Sequence, residues 1–381
     1  MLKTVDLFSG IGGYRLACDE LGIETVWAND FNTHASKVYK DRFGGDAFIK
    51  GELTQLSTLI PPHDLLTASL PTEVFPRKGR TQLHVALLKL IYNLLETRQP
   101  RYFAFDCLPN VINRSQAPAF ASFLNSLNNI GYLVEWRQMC ASDFGLPQHR
   151  PRILIAGYLE EISQPLLCDE AELSHTEYSL KNIFRPSSQW RPTSSWKQKF
   201  PLWGIARGGV FHGQNPLKEP VDLAQLNLAQ ILESSPDRSF YSTESTLERI
   251  KESDKVNKLI NDVETLYNQN GGKRQGYTIR GVNGLAPTLT ASRSRHYERF
   301  KIENEYRRLT PMEYSRLQGF PDGHSSAVDM CFQYELFGNA TPPPMAQWLI
   351  ERLLQIEHNK YLDPIILERF SSEDFSAYRG A

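Results

Sequence analysis

The chain has 381 residues, with 42 Lys and Arg against 43 Asp and Glu and a formal net charge of −1. That balance excludes a global polyanion-binding surface and confines any nucleic-acid contact to a local patch. The length suffices for one large core plus a smaller lobe. Five cysteines, at 18, 107, 140, 168 and 331, are odd in number and lack C-x-x-C spacing, which argues against a disulfide framework or a zinc site. They fit a reducing cytosol, so a cytoplasmic location with no metal is expected. No signal peptide, membrane-spanning run or membrane partner is expected either.

The first 158 residues alternate strand and helix patterns. TVDLF reads as a strand and YRLACDELG as a helix stopped at Gly22. ETVWAND and THASKVYKDRF repeat the pair, and AFIKG, HDLLTAS, RYFAFD, YLVEWRQM and RILIAGY read as further strands. TQLHVALLKLIYNLLE and the region of FASFLNSLNN supply intervening helices. This alternation predicts an α/β fold, a doubly wound and mostly parallel sheet covered on both faces. Residues 159–305, rich in Ser, Pro, Asn and Trp, read as an inserted smaller lobe, within which 242–268 reads as a solvated helix. Residues 306–381 read as a C-terminal segment returning to the first domain. In it TPMEYSRLQGF starts a helix at the Thr310 N-cap with Pro311 in its first turn, and MAQWLIERLLQIEH is an apolar final helix.

Chemistry concentrates at strand ends. DLFSGIGGYRLA sets Gly10, Gly12 and Gly13 between the first strand and first helix, where the backbone can approach a ligand near a helix N-terminus. Such a turn also serves tight packing. The second strand ends in Asp30, a position that holds ribose hydroxyls in doubly wound folds. Glu52 follows the third strand, placed to meet an adenine amino group. Each acid alone fits a solvated loop; three elements at successive strand ends point to a nucleotide-like cofactor.

In these motifs the sequence resembles the DNA cytosine-5 methyltransferases. DLFSGIGGYRLA is similar to the family's first motif and WANDFNTHASKVYKDRFGG to its second. KGEL is similar to the third, with Glu52 where Asp is usual. ASDFGLPQHRPRILIAGY resembles the segment carrying Gln-x-Arg-x-Arg. APTLTASRSRHY and RRLTPMEYSRLQGFPD resemble the segments closing a target-recognition lobe, and ELFGNATPPPMAQWLIERL the last motif. The resemblance implies an S-adenosyl-L-methionine pocket. Phe8 would stack near the adenosine, with Gly10 and Gly12 at the amino-acid end. Asp30 would take the ribose and Glu52 the adenine, and Asn339 would complete the site. It implies double-stranded DNA as partner, with the target base flipped out. Arg150 and Arg152, in QHRPR, match the arginines near that base and its phosphates; a salt-bridged strand start is the plainer alternative.

The family attacks cytosine C6 with a cysteine thiolate from a Pro-Cys-Gln motif. Here the motif reads Pro71-Thr72-Glu73, so Thr72 stands at the thiol position. An alcohol titrates far above a thiol and needs a strong adjacent base, which no Ser/Thr-His-Asp pattern supplies. The family's Glu-Asn-Val is replaced by Asp106-Cys107-Leu108, drawing the acid back by one methylene. The loop after Pro71 also reads as shorter than the family's. Cys107, at the end of the fifth strand, is either a migrated nucleophile or a small buried residue.

The stretch 271–308 is locally basic. It is a solvated face or, given its place in the resemblance, a DNA-contacting segment in which Arg280, Arg293 and Arg295 are the candidate contacts. The preferred expectation is a cytosine-5 methyltransferase homologue without autonomous activity. It keeps cofactor and DNA binding and serves an active methyltransferase subunit of a restriction-modification system. An active enzyme using Cys107, and a DNA-binding regulator without cofactor use, stand as alternatives.

Overall fold

The computed structural model describes residues 1–71, 82–159, 166–167, 178–179, 200–207, 210–214, 226–268, 278–289, 291 and 298–359. The main sheet contains β1 (Lys3–Leu7), β2 (Glu24–Asp30), β3 (Phe48–Lys50), β4 (Leu65–Ser69) and β5 (Tyr102–Cys107). It continues with β6 (Leu133–Cys140), β7 (Pro151–Tyr158), β8 (Tyr178–Ser179), β9 (Trp203–Arg207) and β10 (Val210–Gln214). Its order is β3-β2-β1-β4-β5-β7-β6-β9-β10-β8. Strands β1 to β5 pair in parallel. From β5 onward the pairings are antiparallel, with β7 set between β5 and β6. Strands β8 to β10, from beyond Tyr158, extend this same sheet.

The helices of this part are α1 (Gly13–Glu20), α2 (Thr33–Phe43), α3 (Leu53–Leu56), α4 (Gln82–Arg98) and α5 (Ala117–Asn129). Strand alternation divides the core between the two faces of the sheet. Leu66, Phe103 and Phe105 pack with Ile91 and Leu95 of α4 and with Phe120, Phe123 and Leu124 of α5. Their chain neighbours Leu65, Tyr102 and Ala104 point the other way, into a cluster with Tyr14, Ala17 and Cys18 of α1. Asp106 and Cys107 continue this alternation and leave the strand on opposite faces.

The stretch 242–268 is not one helix. It holds the short α6 (Glu244–Lys251), followed by the antiparallel hairpin of β11 (Asp254–Ile260) and β12 (Val263–Asn268). Asn261 and Asp262 take φ of 50° and 59°, the conformation a tight hairpin turn requires. The hairpin is held by a second sheet in the order β11-β12-β13-β14-β15, with β13 (Thr278–Arg280), β14 (Arg299–Ile302) and β15 (Glu305–Arg307).

The C-terminal segment supplies α7 (Pro311–Leu317), α8 (Met330–Asn339) and α9 (Pro343–Asn359). Thr310 caps α7 through a reciprocal bond pair with Glu313, and Pro311 occupies the first turn, as the sequence predicts. Met345, Ala346, Leu349, Ile350 and Leu353 of α9 join the α1 cluster, so the final helix packs onto the first part of the chain. A third cluster joins Ile11, Ala35 and Val38 to Leu317 and Phe337, and to Leu289 and Phe300 beside the second sheet. No helix among the described residues is long and apolar enough to cross a membrane.

Candidate functional site

The turn after β1 is tightly specified. Phe8, Gly10 and Gly12 all have positive φ, at 52°, 55° and 87°. For Phe8 this is a strained conformation of the kind that collects at binding sites. A Cβ on Gly12 would lie 2.3 Å from Phe43 Cε2, and one on Gly13 would lie 2.2 Å from the Thr341 carbonyl oxygen. Gly10 differs: a Cβ there meets nothing nearer than the Phe8 carbonyl oxygen at 4.0 Å. Gly12 and Gly13 serve packing, while Gly10 keeps a side chain out of open space above the turn.

Asp30, at the end of β2, fixes this turn. Its Oδ2 accepts from the Gly10 N–H at 3.0 Å and its Oδ1 from the Asn32 N–H at 2.7 Å. Burial pushes its carboxyl above the usual range, these N–H groups pull it back, and the nearby Glu52 charge pushes it up again. The Asn29 amide donates to the carbonyls of Ile49 and Gly51 at 2.8 and 3.0 Å, which seats the loop carrying Glu52. Glu52 itself is exposed. Phe31, directly after Asp30, is 60% exposed, an unusual setting for a large aromatic beside a rigid turn. Motif spacing alone misses Phe31; its signal is an apolar residue immediately following a strand-end acid.

The end of β5 is closed. Asp106 is fully buried. Its Oδ1 accepts from the Thr341 hydroxyl at 2.7 Å, and Arg152 Nε lies 3.5 Å from Oδ2. Thr341 Oγ1 also hydrogen-bonds with Ser69 Oγ at 2.9 Å. The Tyr14 phenol is held well above its usual range by burial and by the neighbouring Asp106 and Asp6 charges. The acid therefore belongs to a packed polar knot joining β4, β5, β7 and the turn before α9.

Both arginines of QHRPR turn inward. Arg150 Nη2 donates to the carbonyls of Gly338 and Ala340 at 2.9 and 2.8 Å. Arg152 Nη2 donates to those of Asn339 and Ala340, each at 3.3 Å. Burial lowers the Arg150 pKa well below its usual range, and the adjacent Arg152 charge lowers it further. These side chains brace the 338–340 backbone, and Asn339 is exposed on that braced turn. Cys107 is 1% exposed and sits in the apolar cluster facing α4 and α5. Burial, then the Asp106 charge, raises its thiol well above the usual range.

Thr72 lies outside the described residues, as do Arg293 and Arg295; Pro71 is the last described residue of its turn. Arg280 is half-buried in the second sheet, where its guanidinium donates to Thr265 Oγ1. No cluster of three or more metal-ligating side chains occurs among the described residues.

The family model for C-5 cytosine-specific DNA methylase matches residues 2–355. Type II methyltransferase M.DsaV of Dactylococcopsis salina is 24% identical over 360 residues, covering 93% of this chain and 86% of that protein. Type II methyltransferase M.NgoBI of Neisseria gonorrhoeae is 26% identical over 353 residues, covering 91% of each. The crystal structure of S. pombe Dnmt2 methyltransferase superposes with a TM-score of 0.62 at 17% identity, covering 94% of this chain and 99% of that one. With the family model spanning nearly the whole chain, including the glycine turn, the QHRPR strand start and the braced 338–340 turn, the chain belongs to the C-5 cytosine-specific DNA methylase family.

Proposed function

We propose that this chain binds S-adenosyl-L-methionine and double-stranded DNA but does not transfer the methyl group on its own. In this reading it acts as the recognition or cofactor-binding half of a methyltransferase whose catalytic sulfur comes from a partner chain. S-adenosyl-L-methionine is the methyl donor of the family. The residues fit its adenosyl part. Gly10 leaves room at the turn, Asp30 offers a nine-tenths buried carboxylate, Glu52 an exposed one, and Phe31 an open aromatic face. When bound, the cofactor supplies an electrophilic methyl. The chain's own part is to hold it through Phe8, Gly10, Asp30, Phe31 and Glu52, with Asn339 at the far side and Gly12 keeping the turn packed on Phe43.

The observation that carries the reading is the closed state of Asp106. The side chain is buried with no exposed surface to offer a base, its Oδ1 taken by Thr341 and its Oδ2 3.5 Å from Arg152 Nε without a hydrogen bond. Thr72 at the thiol position of the sequence motif points the same way. Transfer through Cys107 gains no support, because a thiol raised by burial in an apolar cluster is a poor nucleophile. The inward arginines support a structural use of a motif that the resemblance ties to the flipped base.

The test uses purified chain, labelled S-adenosyl-L-methionine and duplex DNA, alone and with a candidate partner that carries an intact Pro-Cys-Gln motif. No label on DNA is expected from the chain alone, and transfer is expected with the partner. Label transferred by the chain alone, and lost in Cys107→Ala or Thr72→Ala, would overturn the proposal.

A further inference from the structure

We propose that His324 is a positioning residue for the glycine turn, gripping it from beyond α7 in addition to its anchors on β2. This rests on the reading of that turn as the cofactor loop. His324 lies in the QGFPDGH segment between α7 and α8 and is 1% exposed. Its Nε2 is 2.7 Å from the Ile11 carbonyl oxygen, a contact across 313 residues of chain. A carbonyl oxygen only accepts, so the ring carries its proton on Nε2 and donates. The ring is packed against Phe320, with centroids 4.8 Å apart, and near Phe43 at 6.0 Å. Phe43 is the residue that meets the Gly12 backbone so closely that no Cβ fits between them.

The segment itself is pinned from outside. Arg42 Nε donates to the His324 carbonyl at 2.7 Å, and Arg42 Nη2 donates to the Gly323 carbonyl. Different parts of the chain therefore hold the turn: the Ser9 N–H donates to the Asn29 carbonyl at 2.9 Å, and two further contacts lie beyond it. Asp30 fixes the Gly10 N–H, and His324 fixes the carbonyl of Ile11. One internal bond, from the Gly12 N–H to the Ser9 carbonyl at 2.8 Å, closes the turn, and its strained φ values persist only where surrounding contacts hold them. His324 also lines a cavity of about 350 Å³ whose other wall includes Glu233, Pro236 and Phe240, preceding the second sheet. It thus stands between the glycine turn and the segment that leads into that sheet.

The test compares His324→Phe, which keeps the ring volume and loses the donor, with His324→Gln, whose amide N–H can take the place of Nε2. Hydrogen exchange of amides 10–13 is measured in ligand-free protein, and S-adenosylhomocysteine affinity by calorimetry. The expected result is roughly tenfold faster exchange and roughly tenfold weaker binding in His324→Phe, with both near wild type in His324→Gln. Arg42→Ala, on the partly exposed side of the brace, is expected to speed the same amides while leaving the buried ring in place. Unchanged exchange at 10–13 in His324→Phe and Arg42→Ala overturns the proposal. So does an equal loss of thermal stability in both His324 variants with no separation between them in exchange or binding. If wild type fails to bind S-adenosylhomocysteine, the cofactor reading falls, and the exchange comparison still decides the role of His324.

Discussion

Replacing Asp6 with Asn should make the protein more stable above neutral pH and leave it little changed in acid. Asp6 lies on β1 beneath the glycine turn and is 1% exposed. One oxygen accepts from the Thr67 hydroxyl at 2.8 Å, and the other is buried without a hydrogen-bond partner. Burial pushes its pKa from 3.8 to about 7, against the pull of Thr67, with the Asp30 charge adding to the rise. A carboxyl raised on folding holds its proton more tightly in the native state. Its contribution is thus fully present below pH 3.8 and is lost as pH rises through about 7. At pH 8 the ionised group destabilises the fold by about 4 kcal/mol, or about 5 °C in Tm for a chain this long. Asparagine keeps the acceptor for Thr67 and carries no charge to desolvate. Thermal unfolding of both proteins, followed by circular dichroism from about pH 4.5 to about pH 8.5, reads the difference across this window. The two Tm curves should diverge with rising pH, the variant being higher. Parallel curves would refute the argument that Asp6 is buried as an acid.

Other substitutions separate holding the cofactor from holding the fold. Asp30→Asn leaves one acceptor for two N–H groups, those of Gly10 and Asn32, and should weaken S-adenosylhomocysteine binding at least about tenfold by calorimetry. Gly12→Ala forces a side chain onto Phe43 at a φ of 87°, and urea unfolding should show a loss of about 2–4 kcal/mol. Glu313 accepts from Arg307, at 2.8 and 2.6 Å, and from the N–H groups of Thr310 and Glu233. Glu313→Gln leaves a buried guanidinium without its counter-charge and should cost about 3–5 kcal/mol in the same assay. Cys18 and Cys107, both 1% exposed, should stay unreactive to a thiol reagent until denaturant is added.

What the sequence disclosed follows locality. Helix α2 was readable because its start is written in adjacent residues: the Asn32 side chain accepts from the N–H groups of His34 and Ala35. Thr310, Pro311 and Glu313 announce α7 in the same way. The hairpin of β11 and β12 was not readable. Its outer strand is almost wholly exposed, rich in Lys and Asn, and turns on Asn-Asp without a glycine. Its inner strand β12 pairs on the other side with β13, from residues 278–280, so the deciding contacts are not neighbours in sequence. The site shows the same division. Motif spacing placed Gly10, Asp30 and Glu52 at adjoining strand ends. It did not reveal that Arg150 reaches a carbonyl 190 residues away, or that Thr341 closes over Asp106 across 235. Those contacts decide whether an inherited side chain faces a substrate or the protein interior.

The most direct measurement is a single-turnover assay with labelled S-adenosyl-L-methionine and duplex DNA, run on a preparation whose S-adenosylhomocysteine binding has first been established by calorimetry. Bound cofactor and no label on DNA are predicted when the chain is alone. Methyl transfer to cytosine by the chain alone would contradict the proposed function.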